Sequence, residues 1–270
     1  MRKYAYYYIA AILTRLNKRG YRGELEIGTK QLLKLMFLLF VISLLLLGCS
    51  NKHTNLEEVE GDGLTYSEYF KPYDRLDERE NMTYYKPLPI DEIESSLQGQ
   101  IKKTVNKIDS ESLPFKVEEE KAYHVTSKNE DGTARNQIQL SYLSKSDYDR
   151  VDDFLIITVT EAEQTPLEEN DISNEYDSVG NKLKKEILTE DIPIYQQVIT
   201  TNSALVYSYY DYDETENRIA TVATAANEMY AYYNGYIYHI GYLIDKEKNN
   251  EKMQEDMLQL TREYILGDSL

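Results

Sequence analysis

Glu228-Met229-Tyr230-Ala231-Tyr232-Tyr233-Asn234-Gly235-Tyr236-Ile237-Tyr238-His239-Ile240-Gly241-Tyr242-Leu243 reads as two strands joined at Asn-Gly. Both central residues of a type I′ turn need positive φ, which Asn and Gly tolerate best. Centring the turn there sets Tyr233 opposite Tyr236, Ala231 opposite Tyr238 and Met229 opposite Ile240 on one face. Tyr232 then meets Ile237, and Tyr230 meets His239, on the other. Such a hairpin calls for an antiparallel sheet.

The neighbouring sequence extends that sheet. Ile138, Leu140 and Tyr142 alternate with Gln137, Gln139 and Ser141, and residues 154–159 form a nearly continuous apolar strand of the kind found in a sheet centre. Residues 192–199, 204–210 and 219–225 continue the strands. The acidic stretch 164–181 reads as a mobile loop. Two amphipathic helices flank the strands. Ile93, Leu97, Ile101, Val105 and Ile108 recur every three or four residues over 91–108, with Asp91 and Glu94 placed as a capping box. Met253, Met257, Leu260 and Tyr264 form a second stripe over 250–265. The expected class is α+β: an antiparallel β-sheet with an N-terminal and a C-terminal amphipathic helix packed on one face. The expected organisation is a signal peptide over 1–48, a tether and irregular segment over 49–88, and a globular domain over 89–270.

Charge divides the chain. Residues 1–48 carry eight basic and two acidic side chains; taken from totals of 30 and 47, that leaves 22 basic and 45 acidic in residues 49–270, a net −23. An overall charge of −17 argues against nucleic acid, whose phosphates are bound by clustered Lys and Arg. Between the basic head and the acidic body runs Leu35-Met36-Phe37-Leu38-Leu39-Phe40-Val41-Ile42-Ser43-Leu44-Leu45-Leu46-Leu47. It is shorter than the roughly 20 residues needed to cross a bilayer core and suits a signal-peptide apolar region. A basic segment of that length ahead of it predicts an over-extended start, with initiation near Leu32 or Leu33. A genuine cytoplasmic extension over 1–30 is the alternative.

The apolar run ends in Leu46-Leu47-Gly48-Cys49 and holds the chain's one cysteine. This ending resembles the lipobox of bacterial lipoproteins. The resemblance implies cleavage between Gly48 and Cys49 and a diacylglyceryl group on the Cys49 thiol. The implied location is the extracytoplasmic face of the cell membrane, with the membrane itself as first partner. A second resemblance covers about residues 113–266 and rests on Pro114-Phe115, Leu140-Ser141-Tyr142, Leu155-Ile156-Ile157, the Tyr233–Tyr238 hairpin and the helix from Met253 to Ile265. These are similar to an uncharacterised C-terminal domain of lipoproteins and anti-sigma-factor-like proteins in low-GC Gram-positive bacteria. It implies no established activity.

Chemistry is sparse in the sequence. A single Cys excludes intrachain disulfides and multi-Cys metal sites. No nucleophile elbow, zinc-protease helix or phosphate loop is present. His53, His124 and His239 have no motif-level partner and read as structural. The stretch Asp211–Asn217 lacks the Gly and Glu of a calcium loop and reads as a solvated turn. No cofactor and no metal is expected. The 26 Tyr have two readings: side chains of a half-exposed sheet, or a candidate binding face at Tyr230, Tyr232, Ile237 and His239 for a protein or small ligand. The expected function is a membrane-anchored, non-enzymatic binding module. The alternative is a carrier or envelope sensor for lipid-like molecules, and an enzyme comes last.

Overall fold

The structure, a computed structural model, describes residues 56–67, 81–128, 132, 134–146, 150–164, 175–200, 207–245 and 247–267. The expected signal peptide, with Gly48 and Cys49, lies outside the described residues, as does His53. Among the described residues no helix is long and apolar enough to cross a membrane.

The strands are β1 (Glu58–Gly61), β2 (Thr83–Leu88), β3 (Glu119–Lys128), β4 (Ala134–Lys145), β5 (Val151–Glu161) and β6 (Lys182–Thr189). They continue with β7 (Ile192–Val198), β8 (Tyr207–Asp213), β9 (Arg218–Thr224), β10 (Asn227–Tyr233) and β11 (Tyr236–Leu243). All join one mixed sheet in the order β6-β7-β10-β11-β5-β4-β3-β2-β1-β9-β8. Neighbours are antiparallel except β1 and β9, which are parallel. The β10–β11 hairpin has the register that Asn234-Gly235 dictates, from Tyr233↔Tyr236 to Tyr230↔His239 and beyond. Both turn residues have positive φ, 52° and 86°. β1 and β2 come from the stretch read as tether.

The expected α+β class, with two amphipathic helices on the sheet, is overturned. The molecule is mostly one eleven-stranded sheet, and the expected N-terminal helix is broken. α1 spans Ile90–Ser96 and α2 spans Ile101–Thr104, and the chain is extended at Leu97 and Val105. Three local causes act together. Gly99 takes a left-handed φ of 69°, which interrupts a right-handed helix. Ser95 and Ser96 turn their hydroxyls back onto the carbonyls of Glu92 and Ile93, a competition that weakens helices. Pro89 occupies the N-cap with no side-chain bond, so the Asp91 capping box does not form. The stripe nevertheless predicts burial correctly: Ile93, Leu97, Ile101, Val105 and Ile108 all enter the main core.

The C-terminal helix α3 (Glu251–Leu266) forms where expected. Asn250 caps it by accepting from the Met253 N–H at 3.0 Å, and Gly267 closes it in the left-handed region at φ 73°. Met257, Leu258, Tyr264 and Ile265 are buried in the same core as α1, α2 and the apolar face of β4, β5, β10 and β11. Buried polar atoms on that face are partly satisfied from the sheet itself. The Tyr142 hydroxyl, for example, accepts from the Ile108 N–H at 2.9 Å.

On its opposite face the sheet is covered by its own end. The β8–β9 hairpin lies across it: the Tyr207 ring sits on Gly241 of β11, where a Cβ would overlap the ring. Gln139 of β4 bonds the backbone of Tyr210 twice, accepting from its N–H at 2.7 Å and donating to its carbonyl at 2.9 Å. A side-chain amide thus takes the place of a neighbouring strand. Residues 62–67 cross the same face, where the Tyr210 hydroxyl donates to Gln137 at 2.6 Å and accepts from the Thr65 N–H.

These layers bury many phenols. Burial, with the Asp62 charge, pushes the Tyr84 phenol up to about 12, and burial with Asp211 does the same for Tyr209. Burial drives Tyr142, Tyr238 and Tyr264 higher still. Because these values lie above the ordinary 10.0, their contribution to stability is complete below that pH and is lost as pH rises through the folded values. Denaturation midpoints are therefore expected to hold steady up to about pH 10 and then fall. Phenolate absorbance should show a late step that coincides with unfolding. A single titration wave near 10 with the fold intact would contradict this packing.

Candidate functional site

The register of the sheet lines up one rung across six strands: Tyr123, Gln139, Thr158, His239, Tyr230 and Tyr195. All share the sheet face that the β8–β9 hairpin covers in part, and all are buried. Of the candidate binding face, Tyr230, Ile237 and His239 are therefore covered in this structure, and Tyr232 is half-buried. Tyr66 and Tyr195 pack with Tyr230, Ile237 and Tyr232, while Tyr207 lies over His239 with ring centroids 4.7 Å apart.

What the β10–β11 hairpin brings together is a buried carboxyl–imidazole contact. Glu228 lies diagonal to His239 on the paired strands, since Glu228 opposes Gly241 and Tyr230 opposes His239. Its Oε1 is 3.3 Å from His239 Nε2, and the two side chains are 4% and 3% exposed. That approach lacks hydrogen-bond geometry. Glu228 Oε1 and both ring nitrogens of His239 are buried without a hydrogen-bond partner among the described residues, while the Tyr207 hydroxyl lies against Thr158 and the backbone of Gly241. Burial pushes the Tyr207 phenol well above its ordinary range, with the Glu228 charge adding to the effect.

A second constellation opens to solvent. A cleft of about 490 Å³ beside α2 is lined by Gln100, Lys103, Thr104, Arg135, Glu161 and Tyr236, among others. Behind it runs a hydrogen-bonded chain across three strands. Asn136 donates from its backbone N–H and its Nδ2 to Glu161 Oε2, at 2.8 and 2.9 Å. Asn136 Oδ1 then faces His124 Nε2 at 2.8 Å. With the amide so oriented, His124 carries its proton on Nε2. Burial lowers the pKa of His124, against the raising effects of the Asn136 bond and the Glu161 charge. The imidazole is accordingly neutral at neutral pH. Lys103 is exposed in the cleft, and Arg135 pairs with Glu163 at its edge. The cleft offers an ammonium, a guanidinium and a carboxylate held in a fixed orientation, a set suited to binding a small polar or zwitterionic group.

Among the described residues no group of three or more His, Cys, Asp or Glu side chains is placed to hold a metal ion. The stretch Asp211–Asn217 comprises the end of β8 and the β8–β9 turn, where Asp213 accepts from the N–H groups of Thr215 and Glu216. Two partnerships were missed in the sequence. The Glu228–His239 pair was within reach, because the Asn234-Gly235 register already sets those residues on a diagonal. The chain from His124 to Glu161 was not, because it requires the order of β3, β4 and β5. No known protein family, curated protein or solved structure matches the chain.

Proposed function

We propose that the protein is a lipid-anchored, extracytoplasmic binding module, held to the cell membrane by a diacylglyceryl group on Cys49. The observation that carries this reading is Leu46-Leu47-Gly48-Cys49 at the end of a short apolar run, with a basic segment before it and an acidic body after it. The cysteine is the chain's only one, and it stands where such a run stops. The binding role draws on the cleft beside α2, whose Lys103, Arg135 and Glu161 present charges of both signs.

Metabolic labelling with palmitate tests the anchor. The wild-type chain takes up label, whereas Cys49→Ala takes up none and accumulates as a longer precursor. Equal labelling of the two chains would refute the proposal.

A further inference from the structure

The cleft beside α2 runs against the charge of the chain. Its charged lining residues are Lys103, Arg135 and Glu161, a net +1 in a molecule of net −17. The neighbouring lysines are neutralised: Lys102 pairs with Glu94, and Lys107 with Asp91 and Glu120. Lys103 is exposed in the cleft and, unlike those two, has no carboxylate partner among the described residues. Its backbone is nevertheless fixed, because Tyr236 bonds Thr104 one residue on and so ties α2 to β11. The end of β5 is tied to the hairpin turn as well, where the Ala162 N–H donates to the Gly235 carbonyl at 3.0 Å.

Arg135 already holds a carboxylate at this site, that of Glu163. The Glu163 side chain is 65% exposed, so it gives up its place at little cost. A guanidinium takes a planar carboxylate through two parallel N–H bonds, which favours a ligand with that group. Glu161 supplies the opposite charge, its Oε2 held by two bonds from Asn136. The side-chain amides of Gln100 and Asn234, both exposed at the cleft, offer donors and acceptors to an uncharged polar group. A volume of about 490 Å³ is that of a small-molecule site.

We infer that the cleft takes a polar α-amino acid. Its carboxylate replaces Glu163 on Arg135 and lies against Lys103, its ammonium faces Glu161, and its side chain meets Gln100 and Asn234. Glu163 is then the chain's own stand-in for the ligand. The inference rests on the binding role proposed above and is independent of lipidation of Cys49.

Isothermal titration of the full chain in detergent tests it with three probes: L-glutamine, glutaramate, which lacks the ammonium, and 4-aminobutanamide, which lacks the carboxylate. L-Glutamine is expected to bind, and each of the other two to bind about tenfold more weakly or less. Lys103→Ala should weaken L-glutamine by about tenfold. Glu163→Gln removes the internal competitor and should tighten it roughly threefold. If glutaramate bound as tightly as L-glutamine while Lys103→Ala still weakened both, the amino-acid class would be overturned and the binding role of the cleft would stand. Weaker or unchanged affinity in Glu163→Gln would overturn the stand-in. No binding of L-glutamine, or binding that Lys103→Ala leaves untouched, would overturn the inference and take the cleft out of the binding role.

Discussion

Replacing His239 with Ala is expected to lower the unfolding free energy by about 2–5 kcal/mol, the usual consequence of truncating a large buried side chain and stranding the polar group beside it. The Glu228 side chain is 4% exposed and has the His239 imidazole 3.3 Å away. With the imidazole gone, the buried Glu228 carboxyl loses the ring beside it and faces the space that the ring filled. The ring contacts of His239 with Tyr207 and Tyr230 are lost as well. Glu228→Ala should have a cost of the same order, since it strips the other partner. Glu228→Leu combined with His239→Leu should cost less than either single change, because neither polar group is then left behind. Urea denaturation of the four chains compares these costs. Single substitutions that each cost under about 1 kcal/mol would show that the two residues do not act as a pair.

The second large effect concerns location. Residues 50–270, exported behind a cleavable signal that carries no lipobox, should be recovered entirely in the soluble fraction, while the native chain sediments with membranes. Each buried CH₂ of an acyl chain contributes about 0.8 kcal/mol, so one chain binds reversibly and two long chains hold the protein in place. The body itself carries −23 and is repelled by an anionic membrane surface. Fractionation with immunodetection decides the matter. If half or more of the anchorless chain remained with membranes, something other than the lipid would have to hold it there.

Local signals made part of this fold legible. Asn234-Gly235 fixes the register of β10 and β11 residue by residue, because φ at two positions determines the turn and the turn determines the pairing. Asn250 and Gly267 bracket α3 for similar reasons. The stripe from Ile93 to Ile108 was informative about burial and misleading about conformation. A chain that lies along a sheet in two short helical turns and an extended piece buries residues at nearly the same intervals as one continuous helix. Gly99, with positive φ, was the residue that separated the two.

The polar face of β4 was harder to read. Gln137, Gln139 and Ser141 alternate with apolar neighbours in a way that ordinarily marks a solvated face. Here they are buried, because β8 and β9, some 70 residues further along the chain, fold over them. Nothing local announces such a cover. The same non-local step brings Tyr207 over His239, while Tyr66 packs with Tyr230 and Ile237, and an aromatic surface becomes an interior.

The mass of the mature N-terminal peptide from membrane-extracted protein tests the anchor at Cys49 most directly. The predicted result is a chain beginning at Cys49, with a diacylglyceryl group in thioether linkage to its sulfur. A peptide that reads through Leu47-Gly48-Cys49 with a free, alkylatable thiol would contradict it.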